Sequence, residues 1–175
     1  MLKDIALGKW ELTTLSRDGF TILHEAVWRS NFDIVNHILN ELDCPVDIEG
    51  DFAQTSLHVA CSQGNIPMIK LLLDRGANIE KKNNKGFTPI LGTAFNIQPE
   101  AMLILANKGA NMNALDQTGS GLVHWAAYRN DRLSLRILKA YGFDLNQQTS
   151  ETGSTPLHLA LQSESVFTIE YLIQN

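Results

Sequence analysis

The sequence predicts an all-α repeat array in which paired helices are joined by extended turns. Three observations carry that prediction: a ruler residue at constant spacing, a small-residue column just after it, and a buried stripe further on. The ruler runs through His24, His58, Leu91, His124 and His158, at spacings of 34, 33, 33 and 34 residues. Self-similarity at such a period marks a supersecondary unit that buries its apolar face by stacking on its neighbours.

Each unit opens in the same way, with "FTILHEAV", "QTSLHVAC", "FTPILGTA", "SGLVHWAA" and "STPLHLAL" falling in register. Thr21, Thr55, Thr88 and Thr155 stand where a hydroxyl can cap a first helix, and Pro89 and Pro156 stand at the first helical position, where no amide hydrogen is required. Two places after the ruler come Ala26, Ala60, Thr93, Ala126 and Ala160, small enough for two helices to approach closely. A second helix follows, its apolar stripe made by Val35, Ile69, Met102, Leu135 and Ile169 and, three residues on, by Ile38, Leu72, Leu105, Leu138 and Leu172. "RGANIE", "KGANMN" and "YGFDLN" then supply a glycine where that helix stops.

In repeat length and motif the five segments resemble the ankyrin repeat. The resemblance covers residues 18–175 and implies an ankyrin-repeat solenoid of helix-turn-helix units joined by β-turn fingers, with a concave face. The units span residues 18–50, 51–83, 84–116, 117–150 and 151–175, after an N-terminal cap or partial repeat at 1–17. Three departures are informative. Leu91 removes a polar link from the third unit, and Gly121 removes a threonine cap from the fourth, so both units are expected to be locally less stable. Around "HILNELDC" the first unit is expected to have a longer second helix and a shorter finger with a displaced tip. The chain stops at "EYLIQN", where a further glycine turn would follow, so the natural protein is expected to continue beyond Asn175.

Composition narrows the function. The net charge is −5, with 44% apolar and 19% charged residues and no cluster of Lys and Arg, which leaves no footprint for nucleic acid. The apolar stretches are too short to span a membrane, and no secretory signal opens the chain. Cys44 and Cys61 have neither a C-x-x-C partner nor a zinc-spaced histidine pair, so the residues fit a reducing, cytoplasmic setting. No cofactor, metal or catalytic residue is indicated. The ruler histidines recur with the repeat and are structural, and His37 is a helix-surface residue. His58 and Cys61 stand one turn apart, but two ligands are too few for a structural zinc site. Cys61 is read as core.

With the small column facing its partner helix, positions one, four and five after the ruler face the groove: Glu25, Trp28 and Arg29; Val59, Ser62 and Gln63; Gly92, Phe95 and Asn96; Trp125, Tyr128 and Arg129; Leu159, Gln162 and Ser163. Trp28, Arg29, Phe95, Trp125, Tyr128 and Arg129 are the candidate protein-binding residues, because Trp, Tyr and Arg dominate binding hot spots. The alternative is that the aromatics pack between units and thicken the inner wall. Fingertip residues Asn84, Lys85, Gln117 and Thr118 could join such a contact.

A narrower resemblance exists. "HWAAYRNDRLS", the turn in "PVDIEGDFAQTSLH" and the upstream "LKDIALGKW" are similar to the N-terminal ankyrin domain of DHHC-type palmitoyltransferases. It implies a substrate-recruiting domain on the cytosolic side of a membrane-embedded acyltransferase whose catalytic part is not in this chain. The family's peptide-gripping asparagine and tryptophan match Arg29 and Val59 here, and neither residue type is kept. The expected function is a monomeric protein-interaction module that binds a peptide or protein in its concave groove, recruiting partners or substrates for a larger protein. The alternative is recruitment within a palmitoyltransferase; a free-standing scaffold, a pathogen effector and an inert spacer also fit the residues.

Overall fold

The computed structural model describes residues 12–175, in which ten α-helices form five helical hairpins. The first helices are α1 (Ile22–Trp28), α3 (Ser56–Gln63), α5 (Pro89–Phe95), α7 (Leu122–Tyr128) and α9 (Pro156–Gln162). Their partners are α2 (Phe32–Asn40), α4 (Ile66–Asp74), α6 (Pro99–Asn107), α8 (Arg132–Ala140) and α10 (Val166–Gln174). A short 3₁₀ turn at Asp51–Ala53 tips one finger, and the described residues contain no β-strand. Of the proposed N-terminal cap, residues 1–11 lie outside the described residues, and Leu12 is buried.

The two rows of helices pack unequally, and this produces the curvature. Each first helix packs closely on the next along the whole array, whereas neighbouring second helices touch sparsely. Small residues draw the inner row together: Ala26, Ala60, Thr93, Ala126 and Ala160 are all buried. The stripe residues Val35, Ile69, Met102, Leu135, Ile38, Leu72, Leu105 and Leu138 fill the space between the rows. The row with closer spacing becomes the concave side.

A left-handed residue turns each hairpin: Ser30, Gly64, Ile97, Asn130 and Glu164 have φ of 54°, 67°, 59°, 58° and 53°. Side chains then cap three of the second helices, as Asn31 accepts from the Ile34 amide, Asn65 from Met68 and Asp131 from Ser134. The first helices are organised differently. The hydroxyls of Thr21, Thr55 and Thr155 lie on Nδ1 of the ruler histidine, which at Thr55 and Thr155 also accepts from the threonine amide and closes a capping box.

At His58 the arrangement is complete. The Thr55 amide donates to Nδ1 at 3.1 Å and the Thr55 hydroxyl lies 2.9 Å from the same nitrogen. Nδ1 is therefore unprotonated, and Nε2–H donates to the Phe87 carbonyl of the next finger at 3.0 Å. His24 and His124 reach Gln54 and Gln147 in the same way, each at 3.0 Å. Gly121 lacks a hydroxyl, yet its amide still donates to His124 at 3.2 Å, so the fourth unit keeps half of the arrangement. In the third unit Leu91 offers no acceptor, and the Thr88 hydroxyl is buried without a partner.

The fingers touch in sequence. The amides of Asp51, Asn84, Gln117 and Glu151 donate to the carbonyls of Gly19, Phe52, Lys85 and Thr118 in the preceding finger. Gly86 and Gly119 permit this approach, since a Cβ there would lie 2.8 Å from the Gln117 amide and 2.6 Å from the Ser150 amide. The expected lengthening of the first unit's second helix is corrected: α2 has nine residues, as α4 does. The extra residue is absorbed by the turn after it, where Asp43 is left-handed and the Cys44 amide closes onto Ile38, six residues back, against five from Ala77 to Leu72. The finger that follows is not shortened; its tip is recast because Phe52 and Ala53 are both at positive φ, Ala53 standing five before the ruler where the other fingers turn with glycine.

These links give two expectations. Thr55→Val removes a satisfied hydroxyl and costs about 1 kcal/mol, whereas Thr88→Val removes an orphaned one and is neutral or stabilising by up to about 1 kcal/mol, as read by urea denaturation. Burial is the largest cause holding His24, His58 and His124 below their ordinary pKa of 6.5, outweighing the finger carbonyls that raise it. All three therefore take up a proton less readily in the fold than in the unfolded chain. Stability is full above pH 6.5 and falls as the pH drops through and below it, and His58→Leu flattens that dependence in urea titrations across pH 5–7.5.

Candidate functional site

On the concave side the first helices and fingers form a shallow groove. Its centre is aromatic. Phe95, at the end of α5, meets the edge of Trp125 on α7 at a centroid distance of 5.3 Å, and Phe87 from the finger lies 5.9 Å from the first ring and 5.1 Å from the second. Tyr128, one turn beyond Trp125, stands edge-on to it at 5.8 Å, and the Arg129 guanidinium lies over the Phe95 ring at 5.1 Å. The i, i+3 and i, i+4 spacings along α7 put these side chains on one face.

The indole is held in place. Trp125 Nε1–H donates to one oxygen of Asp116 at 3.0 Å. The other oxygen accepts from the Thr118 and Ser120 amides, at 2.8 and 3.0 Å, and from the Thr118 hydroxyl at 2.8 Å. Asp116 is buried, so the carboxylate is spent on shaping the fourth finger and orienting Trp125. Phe95 and Trp125 line two adjoining depressions and form the ridge between them. One depression also holds His58, Lys85 and Asn96; the other holds Tyr128, Arg129, Thr118 and Thr152.

Four of the six candidate residues thus come together: Phe95, Trp125, Tyr128 and Arg129. Trp28 and Arg29 do not join them. Trp28, 51% exposed, rests on Phe20 at 6.0 Å, and Arg29 is paired with Glu25 at 2.6 Å. The second unit separates the two groups with Ser62 and Gln63, the latter bonded to the Trp28 carbonyl. Val59, expected on the groove face, is 3% exposed and belongs to the core, because its place after the ruler lies under the neighbouring helix. Packing between units holds for Phe95 and Trp125, which are half-buried, while Tyr128 and Arg129 are exposed.

Two contributors escaped the sequence reading. Phe87 carries a signal: Phe20 and Phe87 both stand four places before the ruler, each eight residues before the aromatic it packs on. Asp116 carries none, because its link to Trp125 depends on how the finger folds. Cys44 and Cys61 are free and buried, and burial pushes both thiols up. Both ring nitrogens of His58 are engaged, so it does not pair with Cys61, and His37 is exposed. Among the described residues no group of three or more His, Cys, Asp or Glu could hold a metal ion, and no helix is long and apolar enough to cross a membrane.

Comparison with known proteins follows the same architecture. Residues 23–116 and 91–175 match the family described as Ankyrin repeats (3 copies). The chain is similar to the neurogenic locus notch homolog protein 1 of Homo sapiens, 31% identical over 146 residues, or 82% of this chain and 6% of that protein. It is similar to the nuclear factor NF-kappa-B p105 subunit of Gallus gallus, 27% identical over 164 residues, or 89% of this chain and 17% of that protein. It is also similar to the palmitoyltransferase ZDHHC13 of Mus musculus, 26% identical over 198 residues, or 93% of this chain and 32% of that protein. The chain therefore spans less than a third of the length of each of these relatives.

The packing separates the two tryptophans energetically. Trp125→Ala, which empties the space between Phe87, Phe95 and Tyr128, is expected to cost about 2–3 kcal/mol, whereas Trp28→Ala costs under about 1 kcal/mol. Denaturant unfolding of the two variants beside the parent chain measures the difference.

Proposed function

The chain belongs to the ankyrin-repeat family, and we propose that it is a protein-interaction module that binds a peptide or protein segment in its concave groove, bringing partners or substrates to a larger protein. Ankyrin repeats are non-catalytic interaction modules, so the activity sought is binding. The observation that carries the groove reading is the Phe95–Trp125–Tyr128–Arg129 cluster, which offers half-buried rings and a free guanidinium to whatever lies on the concave face. A partner there covers aromatic surface already fixed in place, so little side-chain entropy is lost on binding.

A second reading makes the chain the substrate-recruiting domain of a DHHC-type palmitoyltransferase, at the cytosolic face of its membrane. The similarity to the palmitoyltransferase ZDHHC13 of Mus musculus across most of the chain favours it. Arg29 and Val59 stand where that family's gripping residues would be, and Val59 is buried, so a different set of contacts would read the substrate. A reading frame continuing into several apolar spans around an Asp-His-His-Cys segment supports this second reading; a frame that ends or enters an unrelated domain sinks it.

For the groove itself, a photo-crosslinking amino acid placed at Tyr128 is expected to give discrete protein adducts in cell extract. The same group at Leu133, exposed on α8 of the convex row, is expected to give none. Adducts at Leu133 with none at Tyr128 would move the binding surface to the other face.

A further inference from the structure

The charges around the aromatic ridge single out a class of ligand. The chain carries 19 acidic and 14 basic side chains, yet no carboxylate lines the two depressions flanking the ridge; Asp116 lies buried behind Trp125 with both oxygens hydrogen-bonded. Each holds one fully cationic side chain, Lys85 on one side and Arg129 on the other. The histidine in the first, His58, is neutral by its hydrogen bonding.

Neither cation is neutralised. Among the described residues the ion pairs are Arg29–Glu25, Lys81–Glu49 and Lys108–Asp74. Arg29 and Arg129 occupy equivalent places, five after the ruler, and the difference between them comes from the residue four places earlier. Glu25 pairs with Arg29; its counterpart is Trp125, which leaves the Arg129 guanidinium resting on Phe95 with its donors open. Beside Arg129 the wall is made of hydroxyls already bonded to their neighbours, Thr118 donating to Asp116 and Thr152 paired with Ser154, so the guanidinium is the strong free donor there.

Resting on the groove-binding reading above, we propose that this part of the groove takes an acidic peptide segment. An apolar or aromatic side chain sits on the Phe95–Trp125 ridge, and flanking Asp or Glu carboxylates face Lys85 and Arg129. A planar guanidinium held on a ring suits a carboxylate, which it can grip with two parallel hydrogen bonds. One cation in each depression of a net acidic chain is too little for a polyanion such as nucleic acid, whose binding requires several basic contacts.

The test is selection of random twelve-residue peptides on the intact chain, followed by measuring recovered peptides as synthetic fluorescent probes. Expected are peptides with Asp or Glu around an aromatic or branched apolar residue, whose affinity falls at high salt and drops about tenfold on Arg129→Gln, with a smaller loss on Lys85→Gln. Both side chains are exposed, so the variants should melt as the parent does, which circular dichroism checks. Peptides that depend on Tyr128 and Phe95 but show no acidic enrichment and no response to Arg129→Gln would overturn the acidic ligand and leave the groove reading standing. Peptides indifferent to Tyr128→Ala and Phe95→Ala, or a selection that yields none, would overturn both.

Discussion

Everything in this array depends on an imidazole that faces two ways. On one side it accepts from the start of its own helix; on the other it donates to a carbonyl of the next finger. That second bond reaches 30 residues ahead from His24, 29 from His58 and 23 from His124, and places the fingers beside the inner helices. The groove exists because those fingers stand in line, each tip bonded to the one before, with the first helices closely spaced behind them.

The third unit shows what that link contributes by lacking it. Leu91 packs fully in the core but leaves Thr88 with a buried hydroxyl and no partner. Two other features gather there. Ile97 is held at φ 59°, a conformation that a β-branched side chain adopts at a cost, and Gln98 gives α6 no side-chain cap. The same unit supplies Phe87 and Phe95, two of the rings in the aromatic cluster. Departure from the repeat and the building of a surface thus coincide in one segment, as expected where a sequence serves something besides its own stability.

The repeat register was legible because its physics is periodic. The ruler, the small column and the stripe each reflect a contact made in every unit, so each recurs. What happens once was harder to read. The hydroxyls of Thr21, Thr55 and Thr155 pointed to caps, yet a histidine three residues away captured them. An added residue near Leu42 went into a turn rather than a helix, because the stripe had already set where α2 must end. On the groove, face assignment by helical spacing placed Tyr128 and Arg129 outward but also placed Val59 there, since an inner helix pressed between two neighbours has a narrower free face than an isolated one. The bond between Trp125 and Asp116 joins a helix to a finger and has no local signature.

Of the four junctions between successive units, the first two are riveted by a histidine, through His24 and His58, while His124 bonds Gln147 within the fourth unit and the junction between the third and fourth has no histidine. There the fastening is aromatic: Phe87 and Phe95 of the third unit pack on Trp125 of the fourth. The concave face is therefore laced by imidazole links among its first three units and soldered by rings where the ridge stands, so the side chains that shape the surface also hold two units together.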